Sequence, residues 1–552
     1  MYRTGTAAEL SCADFSLKQL CEENRWVKLA KCIPWKAFEQ EYASQFSQAM
    51  GAPAKPFRMA LGALIIKERL GTSDRETVEQ IRENPYLQYF IGLSEYTDQA
   101  PFDASMMVHF RQRLGLELMG RVNEAVVAQL FNRSPEGTSE VASEPAEAQA
   151  EEEGEALLPA IGNQGQLILD ASCAPADIRY PTDLGLLNQA REQTERVIDE
   201  LYGQLKGQMS QKPRTYRQQA RKEYLKVAKQ RRLTSKQRRK AIRKQLGYLR
   251  RNLAHIDALL ATGASLSHLT PQCYRTLLVV SEVYRQQQLM YQTRSRRVDD
   301  RIVSLTQPHV RPIVRGKAGT PVEFGAKFSA SCVQGCVFLD RLSWDNFNES
   351  GDLRSQVEQF KARFGCYPES VYVDRIYRTR ANRAWCRERG IRLSGPPLGR
   401  PPRQGKAQAH QQARQDEKVR NAIEGKFGQG KRRFSLGRIM ARLAHTAETT
   451  IAVIFLVMNL ELLLRQLLLL LLVFWGVCQE TLENLLAHFG HHWRTFTRIF
   501  TTTSAEASYL KTDIPLRVRS QFQSITFSAN PSWFMGFGSG FGSSFSLSSL
   551  YQ

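Results

Sequence analysis

Two short apolar runs constrain this chain more than any other feature. Gln166-Leu-Ile-Leu-Asp170 and Ser370-Val-Tyr-Val-Asp374 are strand-length, partly β-branched, and each stops on a carboxylate before turn-like sequence. An Asp at the carboxyl end of a buried central strand points into the crevice where open α/β sheets hold their ligands. A third carboxylate lies in Arg420-Asn-Ala-Ile-Glu-Gly-Lys-Phe-Gly-Gln-Gly-Lys431, where Glu424 falls four residues after Arg420 and seven before Lys431. A helix puts all three on one face. Taken alone, that stretch also reads as a surface helix with ordinary charge pairs. Taken with the two aspartates, it predicts three carboxylates converging from two strand ends and one helix. Hard oxygen ligands of this kind suit Mg²⁺ or Mn²⁺, and a two-metal site activates water and stabilises the leaving oxygen in phosphodiester chemistry.

Three passages then carry a family likeness. Leu167-Ile-Leu-Asp-Ala-Ser172, Val373-Asp-Arg-Ile-Tyr-Arg-Thr379 with Gly390-Ile-Arg-Leu-Ser-Gly395, and Arg420 through Arg438 resemble the DDE transposases of bacterial insertion sequences, groups four and five. The likeness covers most of the chain, residues 40 to 133 and 160 to 460. It implies a ribonuclease-H-like catalytic domain in which Asp170, Asp374 and Glu424 are catalytic and hold Mg²⁺, or Mn²⁺, in a two-metal site. It also implies binding to terminal inverted repeats of double-stranded DNA, a nick by water attack, and transfer of the freed 3′ hydroxyl into target DNA. Synapsis of two ends implies a homodimer or larger assembly. The family signature runs Tyr, two residues, Arg, three residues, Glu, six residues, Lys; Arg420, Glu424 and Lys431 fit it, but Glu417 stands at the Tyr position.

Charge agrees with a polyanionic partner. The formal charge is +22 and the isoelectric point about 9.7, which favours nucleic acid before a membrane surface. Ten cysteines without tight clusters do not suggest a secreted disulfide framework. Cys332 and Cys336 form the one close pair, in a strand-like run without partner ligands, and read as core packing rather than zinc. The start, Met-Tyr-Arg-Thr-Gly-Thr, has no apolar h-region, so a cytoplasmic, nucleoid-associated protein is expected.

The expected fold is multidomain: a helical N-terminal domain plus an α/β ribonuclease-H-like catalytic domain with a long basic helical insertion. Residues 1–133 read as short helices, with a capping box at Ser73-Asp-Arg-Glu76, a break at Asn84-Pro85 and a cap at Asp103 or Ser105. They are compatible with a helix-turn-helix-like module on the terminal repeats, and equally with a bundle that only packs on the catalytic domain. Residues 134–160, rich in Glu and Ala, read as an acidic flexible linker. The catalytic domain is expected over 161–460, with the insertion at 188–305, and an apolar helix and Gly/Ser/Phe-rich disordered tail over 461–552. Ile451–Met458 and Leu467–Trp475 are apolar, but Glu461, Arg465 and Gln466 interrupt them, so a core helix is expected rather than a membrane span.

From Lys212 to Arg251 the insertion holds 17 Lys and Arg against one acid, Glu223. Such a run repels itself without counterions, so Lys222, Arg231, Arg232, Arg238 and Arg239 are read as phosphate contacts that position DNA without reading bases. Arg375, Arg378, Arg380, Arg383, Arg387, Arg389 and Arg392 crowd the stretch after Asp374 and read as a phosphate clamp, as do Arg420, Lys426, Lys431, Arg432 and Arg433. Asp340 also follows a β-like run and ranks below the three carboxylates as a metal ligand. Two alternatives stay open: a nuclease of the same fold without strand transfer, and a catalytically inactive DNA-binding relic.

Overall fold

A computed structural model of the chain describes residues 20–47, 53–132, 162–209, 211–314, 322–396 and 406–467. The acidic stretch 134–160, the apolar run beyond Leu467 and the Gly/Ser/Phe-rich tail lie outside the described residues.

The centre is a mixed sheet of six strands: β1 (Gln166–Pro175), β2 (Arg311–Val314), β3 (Val322–Val333), β4 (Cys336–Ser343), β5 (Ser370–Tyr372) and β6 (Arg392–Leu393). β1 lies between β3, antiparallel, and β5, parallel; β6 follows β5 in parallel. β2 and β4 share the far edge of β3, and Gln334 and Gly335 turn the β3–β4 hairpin at φ 48° and 85°. These two residues supply the positive φ that a tight two-residue hairpin requires.

One expectation is corrected here. β1 does not end at Asp170 but runs five residues further, because Ala171-Ser-Cys-Ala-Pro175 stays paired with Gly325–Ser329. The small side chains allow a close approach: a Cβ on Gly325 would lie 2.1 Å from the Ala174 carbonyl oxygen. β5, by contrast, stops at Tyr372, where the last β1–β5 pair is Ile168 with Tyr372. Asp170 and Asp374 therefore both stand two residues past the point where these parallel strands part.

Each face of the sheet is covered. On one side Ile168, Phe328, Ala330, Cys332, Val337 and Tyr372 pack with Ile423 and Phe427 of helix Lys406–Arg433 and with the apolar helix Ala444–Leu467. On the other, Leu167, Leu169, Val371 and Val373 meet Leu353, Val357 and Phe360 of helix Leu353–Phe364, and Cys386 of helix Arg380–Glu388. Ala444–Leu467 is the one helix among the described residues long and apolar enough to cross a membrane, and 83% of its most apolar window is buried inside the protein. That burial makes it a core helix, as its charged interruptions suggested.

The helices Arg25–Lys31, Trp35–Ser44, Phe57–Leu70, Asp74–Glu83, Pro85–Phe90, Met106–Leu114 and Leu116–Asn132 precede the sheet. Ser73 caps through the Glu76 N–H at 3.1 Å, and Asn84 caps the helix that Pro85 opens. Ser105 precedes its helix without a side-chain cap, while Asp103 accepts from the Ser105 N–H at 2.8 Å. These helices share one continuous core with the sheet. Asn459 fixes the join: its Oδ1 accepts from the Val337 N–H, and its Nδ2 donates to the Val337 carbonyl and to Asn123, all at 2.8 Å. Glu461 adds an ion pair with Arg69 at 3.1 Å and another with Arg433 at 3.0 Å.

Between β1 and β2 stand four helices, Asp183–Gln204, Arg217–Ala228, Ser235–Ala261 and Pro271–Thr293. Thr182, Thr234 and Thr270 cap three of them, Thr234 with a full capping box to Gln237. Leu186, Leu187, Leu246, Leu249, Val280 and Val283 form one apolar seam, and Ile198, Leu201, Ile256 and Leu259 another. Arg191 is buried between them, donating to Asn188 at 2.8 Å and pairing with Glu195.

Candidate active site

Asp170 projects from the middle of β1, half-shielded, with its Oδ1 accepting from the Ala171 N–H at 2.8 Å. Asp374 follows β5 and caps the short 3₁₀ turn Arg375–Tyr377, accepting from the Arg375 N–H at 2.6 Å. Its backbone is pinned on both sides of Val373: the Val373 N–H donates to Ser394 Oγ at 3.0 Å, and Arg378 Nη2 donates to the Val373 carbonyl at 2.7 Å. Arg378 can lie there because residue 395 is glycine, at φ +95°; a Cβ would sit 2.2 Å from the guanidinium.

Glu424 lies on helix Lys406–Arg433, next to Ile423 and three residues before Phe427, the two side chains that seat this helix on the sheet. This helix is continuous over 28 residues. Arg420 donates from Nη1 to Glu424 at 2.8 Å, and from Nη2 and Nε to Glu417 at 2.6 and 3.3 Å. The Arg420 side chain is 12% exposed, and the Glu417 and Glu424 side chains are each 53% exposed.

The three carboxylates feel one another at Asp170. Burial pushes its carboxyl up to about 6; the Ala171 N–H and Arg420 oppose this, while the charges of Glu424 and Asp374 add to it. Behind it, burial holds the Tyr377 hydroxyl well above its ordinary range, followed by the charges of Asp170, Glu349 and Asp352. Sequence reading gave Tyr377 no role; an aromatic three residues after Asp374, among cations, was the available signal. The donor set fits a hard divalent cation in kind: three carboxylates, one of them the half-shielded Asp170, whose burden a positive charge would relieve. Among the described residues no three acidic, His or Cys side chains are gathered closely enough to enclose a metal ion, Glu424 being turned along its helix to Arg420.

The surrounding cations divide into two groups. Arg375 and Arg380 are exposed beside Asp374, and Lys431 is half-buried two helical turns on from Glu424, on the same face. Lys426 turns away from the carboxylates, toward Cys332, Cys336 and the hairpin glycine Gly335; burial holds its ammonium below the usual range. Arg433 is taken by Glu461. Arg392 is bound to the buried Asp416 at 3.0 Å and to the Tyr372 hydroxyl at 3.0 Å, so it braces this helix against β5 and β6. Asp340 is wrapped by Ser331 at 3.0 Å, Gln356 at 2.8 Å and Arg363 at 3.2 Å, on the face away from Ile168 and Tyr372. In the helices between β1 and β2, Lys222, Arg231, Arg232 and Arg238 are exposed, whereas Arg239 lies over the Tyr291 ring at 4.1 Å.

Comparison with known proteins bears on both ends of this fold. The family described as Transposase DDE domain matches residues 371–461, which hold β5, Asp374, Arg420, Glu424 and the core helix as far as Glu461. The family described as Transposase domain (DUF772) matches residues 15–113. The resemblance to DDE transposases of insertion sequences is supported by both matches. The chain is also 35% identical, over 118 residues, to the uncharacterized protein ORF8 in the nfe locus of Rhizobium meliloti; that stretch is 21% of this chain and 56% of the relative. No solved structure matches the chain.

Proposed function

From a chain that matches a transposase DDE domain and an N-terminal transposase domain, we propose a divalent-metal-dependent DNA transposase. It would cleave phosphodiesters at the ends of its element and join the freed 3′ hydroxyls to target DNA. The observation that best supports the reading is the shared position of Asp170 and Asp374, each two residues past the parting of β1 and β5, under the helix that carries Glu424. The strand order β4-β3-β1-β5-β6, with the first three antiparallel and the last two parallel to β1, fits a ribonuclease-H-like domain.

In this reading Asp170, Asp374 and Glu424 would hold two Mg²⁺ or Mn²⁺ ions, which would supply an activated water and charge neutralisation at the leaving oxygen. The chain's own residues do the positioning. β1 and β5 fix two carboxylates at one level, and the Val373 pins keep the second from drifting. Arg420 and Lys431 would hold phosphate oxygens, with Arg375 and Arg380 beside them. Little covalent chemistry falls to the protein; orientation and preorganised charge lower the barrier. The helices between β1 and β2 would be an insertion that lies along DNA through Lys222, Arg231, Arg232, Arg238 and Arg239. The N-terminal helices would bind the terminal repeats, and two ends brought together call for a dimer or larger assembly. A cytoplasmic, nucleoid-associated protein follows from that substrate.

The test is cleavage and joining of a supercoiled plasmid carrying the DNA that flanks the gene, with Mg²⁺ or EDTA. Metal-dependent nicked and joined products are expected, with Asp170→Asn, Asp374→Asn and Glu424→Gln each lowering them by roughly a thousandfold or more. Cleavage that survives all three substitutions overturns the site. Cleavage without joining leaves a nuclease, and binding without cleavage leaves a DNA-binding relic.

A further inference from the structure

This inference rests on the reading of Asp170, Asp374 and Glu424 as cation ligands. We propose that Glu417, which stands where the family signature has Tyr, is a positioning residue that lets Arg420 give up Glu424 to a divalent cation.

Residues 417, 420 and 424 share one face of helix Lys406–Arg433, and the Arg420 guanidinium lies between the two carboxylates. Its hold on them is unequal. Glu417 takes two donors, Nη2 at 2.6 Å and Nε at 3.3 Å, whereas Glu424 takes one, Nη1 at 2.8 Å. A guanidinium does not shed its proton, and this one is 12% exposed. Were Glu424 its sole partner, moving that carboxylate to a cation would strand a largely desolvated positive charge, which is strongly unfavourable. With Glu417 in place the guanidinium keeps its two-donor partner and Glu424 can leave.

Glu417 is also balanced from its other side. Arg378, pinned to the Val373 carbonyl beside Asp374, helps hold the Glu417 carboxylate below its usual range after the larger effect of Arg420. A chain of alternating charge therefore runs Asp374, Arg378, Glu417, Arg420, Glu424. A tyrosine at 417 would be neutral and could not take the guanidinium's charge, so here the exchange depends on the glutamate that stands at this position.

The experiment is a Mn²⁺ titration of the full chain without DNA, followed through the electron paramagnetic resonance signal of free Mn²⁺. Wild type, Glu417→Gln, Arg420→Gln and the double variant are compared, with circular dichroism to check folding. Glu417→Gln should weaken Mn²⁺ binding by roughly fivefold, the scale of one partly exposed charge-assisted pair. In the Arg420→Gln background the same substitution should change little, because the residue acts through Arg420. Glu417→Asp, which keeps the charge on a shorter stem, should recover part of the loss. Equal affinity in wild type and Glu417→Gln overturns the proposal. An equal loss in both backgrounds also overturns it, since that is simple removal of a charge near the cation. A wild type that takes up no Mn²⁺, or uptake indifferent to Asp170→Asn, overturns the underlying site and this inference with it.

Discussion

The sheet and the four helices between β1 and β2 use cations in opposite ways. Around the sheet, arginines are paired with acids: Arg363 with Asp340 and Glu124, Arg392 with Asp416, Arg341 with Asp352, and Arg69 and Arg433 with Glu461. Most of those acids are buried, so each pair is bound up with the packing around it. In the helical region the stretch Lys212–Arg251 has Glu223 as its one acid, and Lys244 at 2.6 Å and the Tyr248 hydroxyl at 3.1 Å already occupy it. Asp199 takes Lys212 and Arg217. Lys222, Arg231, Arg232 and Arg238 are exposed and have no acidic partner among the described residues. These helices are held by two apolar seams and the buried Arg191, and Lys222, Arg231, Arg232 and Arg238 stand outside those seams. One region uses its charge to fix geometry; the other leaves charge outward, where phosphates can neutralise it.

The first expected effect breaks this contrast if it fails. Replacing Lys222, Arg231, Arg232 and Arg238 together by Gln should weaken binding to duplex DNA of any sequence by roughly a hundredfold at moderate salt and lower the log–log salt slope by about 3 to 4. Thermal unfolding should hardly move. Replacing Arg341 and Arg392 should do the reverse, lowering the melting temperature while the slope stays put, as a salt titration by fluorescence anisotropy would read. A sharper version removes Arg363 alone. Arg363→Met leaves Asp340 buried without its counter-charge, a loss of about 3–5 kcal/mol. Adding Asp340→Asn should restore much of it, seen as recovery of the denaturant midpoint. If Arg363→Met unfolds no earlier than wild type, these pairs are incidental.

The same contrast explains what could be read in advance. Apolar runs with turn signals mark buried strands, so β5 begins at Ser370 and ends two residues short of Asp374, close to where the pattern puts it. The end of β1 was misplaced because Ala171 to Pro175 lacks the bulk that signals a strand; it is held by its partner, through the closeness that Gly325 permits. Residue type and spacing bring Asp170, Asp374 and Glu424 to one region, and pattern alone reaches that far. The fate of individual cations is a matter of long-range partners. Nothing near Lys426 in sequence shows that it turns to Cys332 and Cys336, nor does anything near Arg433 reveal Glu461, 28 residues on. That the stretch between β1 and β2 is helical was legible from its long polar, basic sequence, whereas its caps Thr182, Thr234 and Thr270 were not singled out, and Arg191 at its centre looks like any other charge on an amphipathic pattern.

The smallest effect is the most discriminating, because it predicts opposite signs in the two regions. Asp170 has its folded carboxyl pushed up to about 6 from an ordinary 3.8, first by burial. The unfolded chain ionises earlier, so the stability this group contributes is full below about pH 4 and is lost as pH rises through 6. Asp170→Asn cannot ionise; in EDTA at pH 7.5 it should be more stable than wild type by on the order of 1–2 kcal/mol, with the gap closing by pH 4. Mn²⁺ should then raise the melting temperature of wild type and leave the variant unmoved. Glu223 stands the other way: burial would raise its carboxyl, but Lys244 and Tyr248 hold it below the usual range. Its contribution is present above the ordinary carboxylate range and lost as pH falls, so Glu223→Gln should destabilise slightly at neutral pH and not at acid pH. Calorimetry of both variants from pH 4 to 8 reads the two signs directly. A stabilised Asp170→Asn beside a weakened Glu223→Gln would mean that the sheet holds a carboxylate the fold alone does not satisfy, which a cation at that site would relieve. The same sign in both would mean that Asp170 is as comfortable in its strand as Glu223 is on its helix, and the contrast between the two regions would fail at the residue where it counts most.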